Sequence, residues 1–175
     1  MIMESNRKTI IGIDPGSRCT GYGIIWIEGS KQGCVTFGQI KTDEADLNIR
    51  LGQIHDELSR IIATYQPQLA AIEQVFTFHN HQSALKLGQA RGAALVATAQ
   101  FGLEVTEYSP KQIKQAIVGY GGATKAQIQH MVNLLLKLKN TPPTDAADAL
   151  AIALCHANSQ GLTSRLKQLA DTGAT

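Results

Sequence analysis

Cysteine is sparse in this 175-residue chain. Cys19, Cys34 and Cys155 make an odd number without metal-site spacing, so neither a disulfide framework nor a zinc site is indicated, and a reducing cytoplasm is the expected setting. Long apolar runs are missing too. None approaches the ~20 residues of a membrane span, and the first residues, MIMESNRKT, lack the apolar core of a secretion signal. Nor is there an excess of one charge: the net value is +2, which by itself says little about partners. No internal repeat and no low-complexity linker interrupts the chain. The length and a hydrophobic content of 43% point to one globular domain, expected over residues 1–158, with a flexible tail over 159–175.

What the chain does contain is unevenly placed. Between Gln74 and Thr144 stand Lys86, Arg91, Lys111, Lys114, Lys125, Lys137 and Lys139 against only Glu104 and Glu107, so that half is basic. The first half is organised around TIIGIDPGSRCTGYGIIWI, residues 9–27. Its β-branched runs on either side of Pro15-Gly16 predict strand, turn, strand, with Asp14 at a strand's carboxyl end. An acid there serves an ordinary turn equally well. Gly16, Gly21 and Gly23, however, strip the backbone bare as a close-approaching phosphate requires, and Ser17, Arg18 and Thr20 add polar groups.

Glu28 to Gln32 reads as a hairpin loop and residues 34–41 as a third, antiparallel strand. Leu47, Leu51, Ile54, Leu58, Ile61 and Ile62 recur at helical spacing, which predicts a helix from Asp46 to about Tyr65, stopped by Pro67. A fourth strand, Leu69 to Ile72, then leads to Glu73. The helical crossover makes it parallel to a strand of the meander; beside strand one, the order is 3-2-1-4 and Asp14 faces Glu73 across a crevice. Phe76, Phe78, His79 and His81 fall in a loop, with DNA or solvent as the expected contact of the two histidines.

Residues 82–100 predict a small-residue helix with so little polar surface that burial on several sides, including a subunit contact, is expected. A fifth strand is expected over 103–108 and a helix capped by Ser109 and opened by Pro110 through Val118. Another starts at Thr124, carrying Ile128, Met131, Val132, Leu135 and Leu138. Lys137 and Lys139 read as a solvated face, and His130 and His156 as structural. The last helix, 144–157, precedes the polar tail.

Asp145 and Asp148 are three apart on that last helix and share one face. Acids in a first turn also simply complement the helix dipole. Yet Ala146, Ala147, Ala149, Leu150, Ala151, Ile152, Ala153 and Leu154 make this helix apolar enough for the core, which brings its acids to the sheet. Two charges ~5 Å apart repel by roughly 3 kcal/mol at an effective dielectric of about 20, so four converging carboxylates require a cation. Hard oxygen donors favour Mg²⁺ or Mn²⁺. A pair of such ions activates water and stabilises the leaving oxygen in a phosphodiester displacement, and the basic half supplies phosphate neutralisation.

IGIDPGSRCTGYG with Asp14, AIEQVF with Glu73, and DAADALAIALCH with Asp145 and Asp148 closely resemble the RuvC Holliday-junction resolvases over residues 9–158. The resemblance implies an α/β, ribonuclease-H-like five-stranded mixed sheet of order 3-2-1-4-5 with helices on both faces. It implies a homodimer making paired Mg²⁺-dependent nicks, two ions per site with Mn²⁺ as substitute, in strands of like polarity at four-way DNA junctions. The ends would be ligatable, with RuvA and RuvB as branch-migration partners. By motif match Asp14, Glu73, Asp145 and Asp148 are the catalytic, metal-binding carboxylates. Phe76 resembles the aromatic that stacks on junction bases, and Lys114 and Lys125 the basic residues at the cleaved phosphate and along the DNA, joined by Arg18 and Lys111 as DNA contacts. The helix 82–100 is the candidate dimer contact.

Competing readings keep parts of this pattern. A YqgF-type RNA-processing nuclease shares the fold. An actin- or sugar-kinase-like ATPase opens with a similar strand-turn-strand but needs two such domains around its nucleotide. An inert DNA-binding module would not need the acids.

Overall fold

The computed structural model describes residues 7–43, 46–75 and 81–172, the last eleven of these by backbone alone. Five strands, β1 (Lys8–Asp14), β2 (Cys19–Glu28), β3 (Lys31–Lys41), β4 (Leu69–Glu73) and β5 (Val105–Tyr108), form one mixed sheet of order β3-β2-β1-β4-β5. β1 to β3 are the antiparallel meander, and β4 and β5 run parallel to β1. The turn after β2 is tighter than its polar composition predicts. Pairing continues to Glu28 opposite Lys31, because Gly29 takes a φ of +60° that closes the hairpin in two residues.

Side chains alternate across each strand. On β1, Ile11 and Ile13 join one core with Ile24, Ala70 and Ile72 beneath α1 (Leu47–Tyr65) and α2 (His81–Gln100). Ile10 and Ala71 join the other, beneath α3 (Pro110–Val118), α4 (Lys125–Leu135) and α5 (Thr144–Thr172). Period two then places Asp14 with Ile10 and Gly12, and Glu73 with Ala71, on the α5 face. Helices cover both faces, as the resemblance implies.

α1 ends where Gln66 turns left-handed at φ +45°, one residue ahead of Pro67. Ser109 and Thr124 start α3 and α4 through reciprocal bonds with Gln112 and Gln127. β5 begins two residues later than expected, and α4 stops before Leu138, where Lys137 adopts φ +50°. α5 runs to Thr172 rather than 157. Gly161 costs only about 1 kcal/mol in a helix interior, too little to end one whose first turns are buried. α2 departs from expectation in burial: Ala90, Ala94, Ala97 and Thr98 are covered, while Leu85 stays 68% and Val96 54% exposed.

Gly12, Gly21 and Gly23 explain how α5 lies so close. A Cβ at Gly12 would strike the Ala149 carbonyl, one at Gly21 the Asp145 carbonyl, and one at Gly23 the Leu150 side chain. These glycines clear a trough for a helix, not a path for phosphate. At Gly16 the obstacle is the Cys19 carbonyl, inside the turn itself.

Candidate active site

One cavity, of about 230 Å³, opens at the carboxyl ends of β1 and β4. Asp14, Glu73 and Asp148 line it, together with Lys114, Lys125, Pro110, Ile113, Ile128 and Ile152. The parallel register ends at Ile13 opposite Ile72, so Asp14 and Glu73 are the next residues on neighbouring strands. Asp148 descends from the early part of α5. The first residues of α3 and α4, Pro110 and Lys125, stand at the rim, so helix amino ends, with their partial positive charge, face the acids.

The turn after Asp14 is tied from several directions. Thr20 Oγ1 donates to the Gly16 carbonyl at 2.9 Å and accepts from its N–H at 3.3 Å. Thr42 Oγ1 and the buried Arg50 guanidinium both donate to the Ser17 carbonyl, at 3.0 and 3.2 Å. The helical spacing sets Arg50 among the polar residues between the apolar positions of α1, yet it is buried, because its guanidinium has the Ser17 carbonyl to bind; Thr42 carried no signal.

Asp145 borders the cavity instead of lining it. Its Oδ2 accepts from Gln39 Nε2 at 2.7 Å and from Cys19 Sγ at 3.0 Å. Burial and this bond push the Cys19 thiol up to about 12, so it stays protonated and donating. Neither partner was expected, since only the register of β2 on β3 brings them together.

Electrostatics mark the cavity strongly. Burial first, then Glu73, Asp148 and Asp145, raise the Asp14 carboxyl to about 8. Burial followed by Asp148 also raises Glu73, and burial raises Asp148 against the pull of Lys125. Lys125 Nζ donates to Asp148 Oδ2 at 3.3 Å, and that carboxylate raises the lysine in turn.

This donor set suits a hard dication: crowded carboxylate oxygens whose ionisation is suppressed until positive charge arrives. As they stand, no three His, Cys, Asp or Glu among the described residues are close enough to grip an ion. A lysine supplies part of the counter-charge.

The remaining expected contacts lie outside the cavity lining. Arg18 is exposed on the β1–β2 turn and Lys111 on α3, alongside Gly121. Phe76, Phe78 and His79 lie outside the described residues. His81 opens α2 instead of lying in the loop; it is exposed, as are Lys137, Lys139 and His130, and His130 therefore has no core role. His156 is buried, its Nδ1 2.8 Å from the Tyr108 hydroxyl.

A family model for the crossover junction endodeoxyribonuclease RuvC matches residues 10–156. The chain belongs to the RuvC family. A RuvC of Coxiella burnetii is 69% identical over 97% of this chain and 99% of its own length, and one of Pseudoalteromonas translucida 56% identical over 86% and 87%. The structure of Thermus thermophilus RuvC in complex with a Holliday junction substrate superposes with a TM-score of 0.84 at 36% identity, covering 89% of this chain and 96% of that one. The yeast mitochondrial resolvase Ydc2, at 11% identity and a TM-score of 0.64, shares the fold. All the RuvC motifs that carry an acid thus fall on the sheet ends and the helix that bound the cavity.

Proposed function

We propose that this chain is a Holliday-junction resolvase, a crossover junction endodeoxyribonuclease that nicks two strands of like polarity and leaves 5′-phosphate and 3′-hydroxyl ends. The observation that supports it is the meeting of Asp14, Glu73 and Asp148 with Lys114 and Lys125 in one cavity, on a fold that a RuvC bound to a junction shares. In this reading Asp14, Glu73, Asp148 and Asp145 hold Mg²⁺, two ions per site, with Mn²⁺ as a substitute. When bound, the ions supply an activated water and stabilise the departing oxygen.

The chain's own residues do the rest. Lys114 and Lys125 neutralise the scissile phosphate, and Arg18 and Lys111 follow the backbone on the rim. Phe76, three residues past Glu73, stacks on an opened base, a contact worth ~1 to 3 kcal/mol. The catalytic unit spans residues 1–158.

Two cuts related by a two-fold axis call for two equivalent sites, and an isologous dimer provides them. Leu85, Gly88, Gly92 and Val96 fall along one side of α2. Nothing lies within 4 Å of a Cβ placed at either glycine, and the two apolar ends are exposed. That stripe is the dimer contact in this proposal. RuvA and RuvB are the partners that the resemblance implies.

The test is a cleavage assay on four-way junctions, linear duplex and structured RNA, with and without Mg²⁺, mapping every nick. Symmetric Mg²⁺-dependent nicks confined to the junction are expected. Preferential cleavage of RNA would favour the YqgF-type alternative, and tight ATP binding without nicking the kinase-like one.

A further inference from the structure

Asp145 meets neutral donors, whereas Asp148 meets a lysine. The difference has a structural origin. Cys19 and Gly21 are two apart on β2 and share its α5 face, and Gly21 pairs directly with Gln39 of β3. The Asp145 backbone lies on Gly21, whose missing side chain admits it. Gln39 and Cys19 therefore flank the spot where the start of α5 meets this edge of the sheet, and both reach the carboxylate. Both donate to Oδ2, so neither occupies Oδ1. An amide and a thiol orient a carboxylate without cancelling its charge, which a lysine or arginine in their place would do.

We propose that Gln39, assisted by Cys19, is a positioning residue that holds the Asp145 carboxylate at the border of the cavity with Oδ1 left for the divalent cation. The inference rests on the reading of Asp145 as a metal ligand. Orienting the ligand beforehand removes a cost that the arriving ion would otherwise bear, and donors that orient metal ligands typically change affinity ten- to a hundredfold.

The experiment measures Mn²⁺ binding to the whole protein by electron paramagnetic resonance, the half-saturating Mg²⁺ for junction nicking, and the melting temperature without metal. Wild type is compared with Gln39→Met, Gln39→Asn, Cys19→Val, Cys19→Ser and Asp145→Asn. Gln39→Met, which keeps the shape and loses the amide, raises the Mn²⁺ Kd and the Mg²⁺ half-saturation together by roughly tenfold, and excess Mg²⁺ restores nicking. Gln39→Asn, whose amide falls one methylene short, shifts both the same way and stands in should the methionine variant not fold. Cys19→Val gives a smaller shift, with Cys19→Ser closer to wild type because it keeps an O–H donor.

A lowered melting temperature with an unmoved Mn²⁺ Kd in the Gln39 variants overturns the positioning role. If Asp145→Asn weakens Mn²⁺ binding while the Gln39 variants do not, the ligand survives and the positioning falls. If Asp145→Asn changes neither Mn²⁺ binding nor nicking, both fall together.

Discussion

Asp14 has two opposed consequences for the protein. Its carboxyl titrates near 8 in the folded chain against an ordinary 3.8, so the folded state holds the proton more tightly than the unfolded one. The stability this group contributes is full below about pH 4 and is lost as pH rises through 8. Asp14→Asn should therefore melt close to wild type at the acid end and progressively higher toward pH 8.5 in EDTA, with Mg²⁺ narrowing the gap. The same variant should bind junctions and fail to nick them. A gap that shrinks as pH rises would show that burial does not suppress this acid.

Lys125 separates function from stability in a different way. Its bond to Asp148 is made by a side chain 75% exposed, so solvent screens it and its loss should cost below about 1 kcal/mol. Lys125→Ala should melt almost as wild type does, nick far more slowly, and lower the slope of log affinity against log salt by about 0.9 if it holds one phosphate. An unchanged nicking rate would remove it from the site.

At the scale of elements, the trough beneath α5 decides where its acids stand. Gly12→Ala or Gly21→Ala sets a methyl against a backbone carbonyl, which no rotamer change relieves. We expect a loss of about 3 kcal/mol or more, read as a lower urea midpoint. Gly52, inside α1 with open space around it, is the control: alanine there should stabilise by roughly 0.5 to 1 kcal/mol. The order of strands and helices was legible because apolar spacing and turn residues are local signals. The purpose of Gly21 and Gly23 was not, since a bare backbone looks alike whether a phosphate or a helix approaches it. The partners of Asp145 were hidden for a related reason: Cys19, Gln39 and Asp145 meet only through strand register and helix docking, which pair residues far apart in sequence.

At the scale of the molecule, the exposed stripe on α2 is where a second copy should dock. Leu85→Glu with Val96→Glu should convert a dimer to a monomer in analytical ultracentrifugation. Nicking should persist at single strands while the paired cuts lose their coordination. A double variant that still sediments as a dimer would place the contact elsewhere. The carboxylates were legible as a group because each sits at a strand end or near the start of a helix; Asp148 falls in the second turn of α5, one turn later than expected. The bonds that hold Asp145 at the border of the cavity were not legible, because Cys19 and Gln39 come from another edge of the sheet.

The long last helix completes the pocket with residues made late. A chain that stopped before Thr144 would keep Asp14 and Glu73 in its sequence, yet have nothing to lay in the glycine-lined channel. Such a truncated chain should neither retain Mn²⁺ at this site nor nick a junction, because Asp145 and Asp148 are both missing from it.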